Sequence, residues 1–243
     1  MAATLQMFSV CILGQLAFYC LGRYLLGSNV KKRAWLLTLP VSFIFGFIVG
    51  PYHVWTVLAA MFQGSQKVSD YLAATYPTGE WAAVHMITFM LLDLGVGCLE
   101  YPSELRFDTG YIHHSMYLIL YSYLYLSRKT NFLLIGACCE IPTFIMAAGI
   151  LFPTLRSDLA FGFTFFLTRI FWFVVVFVVF CNSKYNPGVS VWWGLSLGLP
   201  GLYVCEFAPP VLAATLVHCL WFSQWCTKYG APLVFGSVKK KIE

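Results

Sequence analysis

The sequence contains seven stretches of roughly 20 residues or more that carry almost no charge. A helix of about 20 apolar residues is long enough to cross the hydrocarbon core of a bilayer. Hydrophobic residues make up 60% of the 243-residue chain and charged residues 10%, against about 25% charge in an ordinary soluble domain. We therefore predict an all-α polytopic membrane protein of about seven transmembrane helices. The predicted spans are residues 3–27, 34–62, 81–99, 111–127, 132–152, 159–181 and a last span that ends near Cys226.

Positive charge predicts how the spans are oriented. No Lys or Arg precedes Arg23, whereas Lys31, Lys32 and Arg33 follow the first span, which places the amino terminus in the lumen and this cluster in the cytosol. Seven spans put nine Lys and Arg in the cytosol and four in the lumen, and eight spans would give five against eight. Seven spans obey the positive-inside rule, so we interpret residues 189–203 as a broken, re-entrant or interfacial helix.

The carboxyl-terminal tail has the form of a dilysine signal for retrieval to the endoplasmic reticulum. Lys240 and Lys241 lie three and two residues before the end of the chain, and such an address is recognised only from the cytosol. We predict an endoplasmic reticulum membrane protein whose cytosolic tail binds coat machinery. Alternatively, the lysines meet anionic headgroups. The predicted organisation is an amino-terminal helix and basic turn (1–33), a membrane domain (34–228) and a tail (229–243), with its longest loop at 63–80.

Composition excludes a nucleic-acid-binding protein. The net charge of +5 comes from 15 Lys and Arg against 10 Asp and Glu, and no basic stripe with stacking aromatics is present. The nine cysteines lie in or beside apolar stretches without a C-x-x-C pair. They are predicted to be small buried hydrophobic residues rather than disulfides or metal ligands, and we expect neither a metal site nor a resident cofactor.

Three ionisable residues lie well inside predicted spans, where each charge is costly without a partner. Glu140 and Arg169 both fall near the midplane, on consecutive antiparallel helices. An ion pair between them is the economical interpretation, and it would shape a cavity. The third residue, Asp93, lies about 9 Å from the cytosolic end of its helix.

Two adjacent histidines follow Asp93 on the next predicted helix. His113 and His114 lie about 4 Å inside its cytosolic start, and the connecting hairpin is short, so the two helices are expected to be neighbours. An aspartate that reaches an imidazole would orient it as a base, as acyl-transfer sites require. His218 on the last span lies at a depth similar to that of Asp93.

Other residues of these helices allow two interpretations. Tyr117, Tyr121 and Tyr125 recur every fourth residue, and this stripe either lines a polar tunnel or packs against a neighbouring helix. His53 and His85 are expected to make interhelical hydrogen bonds.

The ordered set of these residues resembles the TLC domain family, which includes the ceramide synthases. The resemblance covers residues 34–228 and implies a six-helix bundle around a central lipid cavity, with one extra amino-terminal helix. It implies that His113 and His114 are the reactive pair and Asp93 their acidic companion. Glu140-Ile-Pro-Thr143 replaces the longer ceramide synthase motif, which favours the smaller TLC proteins of lipid homeostasis. The residues that carry the resemblance are Asp93 in FMLLDLGVG, His113 and His114 in YIHHSM, Glu140 in CCEIPTF, Arg169 in FFLTRIFWF and the closing HCLWFSQWC.

Three functions remain open at this point. The first is a lipid acyltransferase that moves an acyl chain from acyl-CoA to a lipid amine or hydroxyl, with catalytic His113, His114 and Asp93. Its substrates would contact a second set of residues, namely Glu140, Arg169, Tyr117, Tyr121 and His218. The second is a lipid-binding protein without turnover. The third is a b-type haem carrier, with His53 and His85 as lumenal ligands and His114 and His218 as cytosolic ligands.

Overall fold

The computed structural model describes residues 2–181 and 208–230. Within these ranges the chain is helical and contains no strand, so the all-α fold is confirmed. The predicted broken helix at 189–203 and the tail with Lys240 and Lys241 lie outside the described residues.

Contacts divide the chain into two compact units, Met1–Arg156 and Ser157–Glu243. The helices of the first unit are α1 (Ala2–Leu26), α2 (Val30–Arg33), α3 (Thr38–Phe43), α4 (Gly50–Gln63), α5 (Ser65–Ala73), α6 (Pro77–Glu100), α7 (His113–Leu126), α8 (Asn131–Gly136) and α9 (Glu140–Leu151). Those described in the second unit are α10 (Asp158–Phe165), α11 (Trp172–Cys181) and α12 (Ala208–Trp225). Between them lie π-helical segments at Ile44–Val49, Phe107–Ile112, Phe166–Phe171 and Cys226–Gly230, and 3-10 turns at Ala137–Cys139 and Pro153–Leu155.

Five helical stretches in the described part of the chain are long and apolar enough to cross a membrane. They coincide with five of the seven predicted spans, which supports a multi-pass membrane protein. The predicted fourth and last spans coincide with α7 and α12, which are helical but fall outside that set. The five stretches are Thr4–Leu26, Val30–Gln63, Pro77–Glu100, Asn131–Leu151 and Asp158–Val179.

Helix α6 forms the core of the first unit. Every residue from 82 to 90 is buried, and both α1 and α7 pack against this helix. Asp93 is 5% exposed and Thr88 0%. α6 therefore presents its few polar side chains, Asp93 among them, to adjacent helices rather than to lipid.

A pair of helix irregularities lets two backbones approach closely. The π-helical segment Ile44–Val49 faces the 3-10 turn Ala137–Cys139, and a Cβ placed on Gly50 would stand 2.5 Å from the amide nitrogen of Cys138. Pro142 explains the irregular turn, because it has no N–H to donate to the preceding turn of helix. The break places Glu140 at the first residue of α9.

The segment predicted to be the longest loop is largely helical, so that prediction is wrong. Helix α5 buries Tyr71, whose hydroxyl lies 2.8 Å from Nδ1 of His53. Asn131 donates to the carbonyls of Tyr71 and Ala74 at 2.6 and 2.5 Å. Burial raises the pKa of the Tyr71 phenol. The residues of α5 are mostly polar, which is typical of a loop, but they form an amphipathic helix with one buried face.

The second unit is held together by aromatic side chains. The indole of Trp225 packs over Gly162, where any side chain would collide with it. Phe222 stacks on Trp225 with ring centroids 5.6 Å apart.

Burial of the cysteines was predicted correctly only in part. Cys11 and Cys138 are buried, whereas Cys20, Cys98 and Cys219 are exposed on the protein surface. In a membrane helix an exposed thiol faces lipid at little cost, so apolar surroundings in the sequence do not require burial in the protein.

Candidate functional site

The predicted contact between Asp93 and the histidine pair is present in the first unit. Nδ1 of His114 lies 3.0 Å from Oδ2 of Asp93, and the two side chains are 15% and 7% exposed. This is an ion-pair distance, but the ring is turned so that Nδ1 makes no hydrogen bond to the carboxylate. The short hairpin between α6 and α7 brings the pair together.

Tyr101 holds the other oxygen of the same carboxylate. Its hydroxyl donates a 2.8 Å hydrogen bond to Oδ1 of Asp93, and its side chain is 1% exposed. Tyr101 caps the end of α6, and its ring lies against Gly97 one turn earlier, where there is no Cβ to obstruct it. Tyr101 was not predicted as a site residue, because it lies just beyond the helix that carries Asp93.

His113 lies against a row of tyrosine rings on α7. Its ring centroid is 4.6 Å from that of Tyr117, which lies 5.4 Å from the ring of Tyr121. The rings of His113 and His114 are 5.6 Å apart. The two adjacent histidines thus have different neighbours, Tyr117 for His113 and Asp93 for His114, as their helical spacing predicts. The ring of His113 thus extends the predicted row of tyrosine rings by one position towards the start of α7.

A charged cluster lies one residue from Tyr101. Oε2 of Glu100 is 2.8 Å from Nη1 of Arg33 and 3.2 Å from Nε of Arg23. Arg33 is 13% exposed and Arg23 is 52% exposed. This cluster was not predicted. It ties α1 and the basic turn to the end of α6, beside the Asp93 site.

Asp108, in the connection to α7, serves a local role. Its carboxylate accepts two hydrogen bonds from Arg106, at 3.2 and 3.1 Å. The Arg106 guanidinium holds the pKa of the Asp108 carboxyl below its usual value.

Glu140 and Arg169 belong to different units, so their predicted ion pair stays a prediction. Oε1 of Glu140 lies 3.7 Å from the Cys139 thiol in the first unit. In the second unit, the Arg169 guanidinium lies 5.3 Å from the ring centroid of Phe165. This is a cation–π contact, which lowers the cost of a charge in an apolar setting.

His218 is brought beside Arg169 within the second unit. Its Nδ1 lies 3.2 Å from the Arg169 carbonyl oxygen, and the residue is 3% exposed. The rings of Phe165 and Phe173 meet the imidazole edge-on, at 5.8 and 5.4 Å. Arg169 lies in a π-helical segment, an irregularity that is frequent at functional sites.

An open apolar groove of about 630 Å³ lies in the second unit. Its walls are almost entirely apolar, which suits a hydrocarbon chain rather than a polar ligand. The groove is lined by Phe166, Ile170, Cys219, Phe222, Ser223, Cys226 and Thr227.

The histidines assigned to packing make interhelical contacts. His53 meets Tyr71, as described above, and Nδ1 of His85 lies 3.4 Å from Nε2 of Gln15 on α1. The ring of His85 stacks between Trp81 and Phe45, with centroids 4.9 and 6.0 Å away.

The arrangement defines a class of site on an all-α multi-pass membrane protein. Tyr101 and Asp93 place a buried carboxylate 3.0 Å from the His114 imidazole, a group that can take up and return a proton. In the ranges that the structure describes, no group of three or more His, Cys, Asp and Glu side chains could hold a metal ion.

Comparisons with protein-family models, with curated proteins and with solved structures found no match.

Proposed function

We propose that this protein is a lipid acyltransferase in which His114 is the general base and Asp93 its orienting carboxylate. The observation that carries the proposal is the 3.0 Å approach of His114 Nδ1 to Asp93 Oδ2, with Tyr101 on the second oxygen. A carboxylate at Nδ1 fixes the tautomer that leaves Nε2 free to accept a proton. Hydrogen bonds at catalytic sites are often loose without substrate and tighten when it binds.

The proposed reaction transfers an acyl chain from acyl-CoA to a lipid amine or hydroxyl. His114 Nε2 takes the proton of the acceptor as its nitrogen or oxygen attacks the thioester carbonyl. The tetrahedral intermediate collapses, the carbon–sulfur bond breaks, and the imidazolium returns the proton to the departing thiolate. Asp93 stabilises the imidazolium while it exists. His113 is the alternative base or a transient acyl acceptor.

The remaining predicted residues are proposed to bind the substrates. In this scheme Tyr117 and Tyr121 line the path from the histidines, and Glu140 in the first unit and Arg169 in the second are each proposed to contact substrate. His218 lies with Arg169 in the second unit, as described. We expect Glu140→Gln and Arg169→Gln to raise KM more than they lower kcat, because these groups would bind substrate without entering the chemistry.

The decisive experiment measures transfer of isotope-labelled acyl groups from acyl-CoA into a total lipid extract by purified protein in mild detergent. His114→Gln is expected to abolish transfer, and Asp93→Asn to lower kcat about 10²- to 10⁴-fold. Asp108→Asn is the matched control, because that carboxylate pairs with Arg106 outside the site. The proposal fails if folded His114→Gln protein retains parental transfer while His113→Ala also has no effect.

The proposed setting is the endoplasmic reticulum membrane, with the amino terminus lumenal and the tail cytosolic. Lys240 and Lys241 support it through the spacing of the retrieval signal. Replacing both lysines with serine should move a tagged protein to later secretory compartments. Replacing Lys239 alone should not, and unchanged location of the double variant would reject the signal.

A second candidate function is lipid binding without turnover, which the apolar groove in the second unit favours. This function predicts a stoichiometric lipid that co-purifies and no product that depends on a histidine. Mass spectrometry of lipid extracted from the purified protein tests it. Cys219→Trp and Ser223→Trp, which would fill the groove, should reduce the amount of bound lipid.

A further inference from the structure

We propose that the contact surface of α1 and α6 contains a binding site for a hydroxyl group. We call this site the α1–α6 seam and define it by Gln15 and Tyr19 on α1 and His85 and Thr88 on α6. Gln15 is 4% exposed, Tyr19 4%, His85 9% and Thr88 0%. The ring of Tyr19 lies 6.4 Å from that of Tyr101, so the seam adjoins the Asp93 site, but the proposal does not depend on acyl transfer.

Only the nitrogen of the Gln15 side-chain amide has hydrogen-bond partners among the described residues. Its nitrogen donates to the His85 carbonyl and to Oγ1 of Thr88, both at 3.1 Å, which uses both amide hydrogens and fixes the orientation of the group. Its oxygen, Oε1, has no hydrogen-bond partner in the part of the chain that the structure describes. Gln15 therefore presents a buried acceptor that requires a donor.

Two further polar atoms of the seam also lack partners among the described residues. They are Nε2 of His85 and the hydroxyl of Tyr19. Tyr19 lies one helical turn from Gln15 on the same face of α1, and Nδ1 of His85 meets the Gln15 amide. Buried polar groups are almost always hydrogen-bonded, and a persistent exception points to an unseen water or ligand. Two of these exceptions, Gln15 Oε1 and His85 Nε2, belong to side chains that contact each other and together indicate a built site, and the Tyr19 hydroxyl lies one turn along α1.

A hydroxyl is the membrane group that matches these atoms. An alcohol that donates its one hydrogen to Gln15 Oε1 can accept from His85 Nε2 when that nitrogen carries the proton, and a water molecule can donate to both atoms. Lipid esters and ethers accept hydrogen bonds but donate none, so they cannot satisfy Gln15. Gln15 lies near the middle of α1, where bulk water is absent.

The hydroxyl has two possible sources, a buried water molecule or a membrane alcohol. Leu13 and Leu21, which flank the seam residues on α1, are 66% and 60% exposed. The seam is thus covered by one helix that lies against lipid, and an alcohol dissolved in the bilayer needs to pass only that helix.

The first test is thermal unfolding in nanodiscs of phosphatidylcholine, which has no free hydroxyl. Cholesterol and hexadecanol are the probes, and their methyl ethers are the controls. We expect an alcohol, but not its ether, to raise the unfolding midpoint by about 3 °C, the range for a ligand that binds only folded protein. The double variant Gln15→Leu, His85→Phe should lose this shift. Gln6→Leu, an exposed glutamine on the same helix, should keep it.

The second test detects bound water by radiolytic labelling, in which ionised water oxidises adjacent side chains. We expect Tyr19 and His85 to be labelled although they are buried, while Phe45, which is 0% exposed, stays unlabelled. An alcohol-specific shift identifies a lipid alcohol, and labelling without a shift identifies water. Absence of both overturns the proposal. Tyr19→Phe removes a single oxygen, so it tests the same seam without a risk to folding and should weaken either signal.

Discussion

The hydroxyl of Tyr101 donates a 2.8 Å hydrogen bond to Oδ1 of Asp93, from a position one residue beyond the helix that carries the aspartate. With His114 at 3.0 Å on Oδ2, the carboxylate is held between two side chains. Tyr101 thus acts as a positioning residue, because it fixes the rotamer in which Asp93 faces the imidazole.

Tyr101→Phe is therefore expected to impair turnover without weakening substrate binding. A hydrogen bond to a charged group contributes about 1.5–3 kcal/mol, so its loss should lower kcat about 10- to 100-fold with KM unchanged. Steady-state kinetics of acyl transfer measure this split. Tyr24→Phe, at an 84% exposed position, is the control. A parallel rise in KM would show that Tyr101 serves the structure rather than the orientation of Asp93.

Gly50→Ala should destabilise the first unit. The new Cβ would meet backbone atoms of Cys138 at 2.5 and 2.6 Å, and backbone cannot rotate away as a side chain can. Overpacking of this kind costs about 1–3 kcal/mol and should lower the unfolding midpoint by about 3–10 °C. Gly14→Ala, on a helix with nothing within 4 Å of the added carbon, should leave the midpoint unchanged or raise it. Equal effects of the two variants would contradict the close approach.

The two arginines on Glu100 should differ in their effect on stability. Arg33→Gln leaves a largely buried carboxylate with one weaker partner and should cost about 2 kcal/mol or more. Arg23→Gln removes a half-exposed partner and should cost less than about 1 kcal/mol. Thermal unfolding of the two single variants compares them directly. If Arg23→Gln is the more damaging substitution, the burial difference does not control the cluster.

Asn131→Ala should release helix α5. It removes both side-chain hydrogen bonds that tie the Tyr71 and Ala74 carbonyls to α8. A loss of about 1.4 kcal/mol in local stability would raise cleavage by trypsin at the exposed Lys67 about tenfold. Asn29→Ala, which removes only the amino-terminal cap of α2, should leave that rate unchanged. Unchanged cleavage in Asn131→Ala would show that the His53 contact alone holds α5.

The contact between Asp93 and His114 was predictable because two local rules converge on it. A charge within a span needs a partner, and a short hairpin makes consecutive helices neighbours. Neither rule predicts the contact between Tyr101 and Asp93, because the position of Tyr101 depends on how α6 ends. Neither rule predicts the hydrogen bond of Gln15 either, because its acceptor is a carbonyl 70 residues away on α6.

Helix boundaries were predictable to within a few residues, but helix irregularities were not. The hydropathy pattern predicts one span over 132–152, yet it cannot show that a 3-10 turn separates α8 from α9 or that Gly50 approaches Cys138 there. Such contacts depend on which helices meet, and hydropathy carries no information about partners. Helix α5 is hidden from a hydropathy pattern for the same reason, because its buried face is evident only once its partners are known.

The contact between Gln15 and α6 also has a consequence for how the chain is made. Residues are added at about 5–20 per second during synthesis, and the His85 carbonyl follows Gln15 by 70 positions. The amide of Gln15 therefore enters the bilayer several seconds before its acceptor exists. During that interval the Gln15 amide must be satisfied by water or by the insertion machinery. A hydrogen bond that stabilises the folded protein thus leaves a polar group unpaired in the nascent chain.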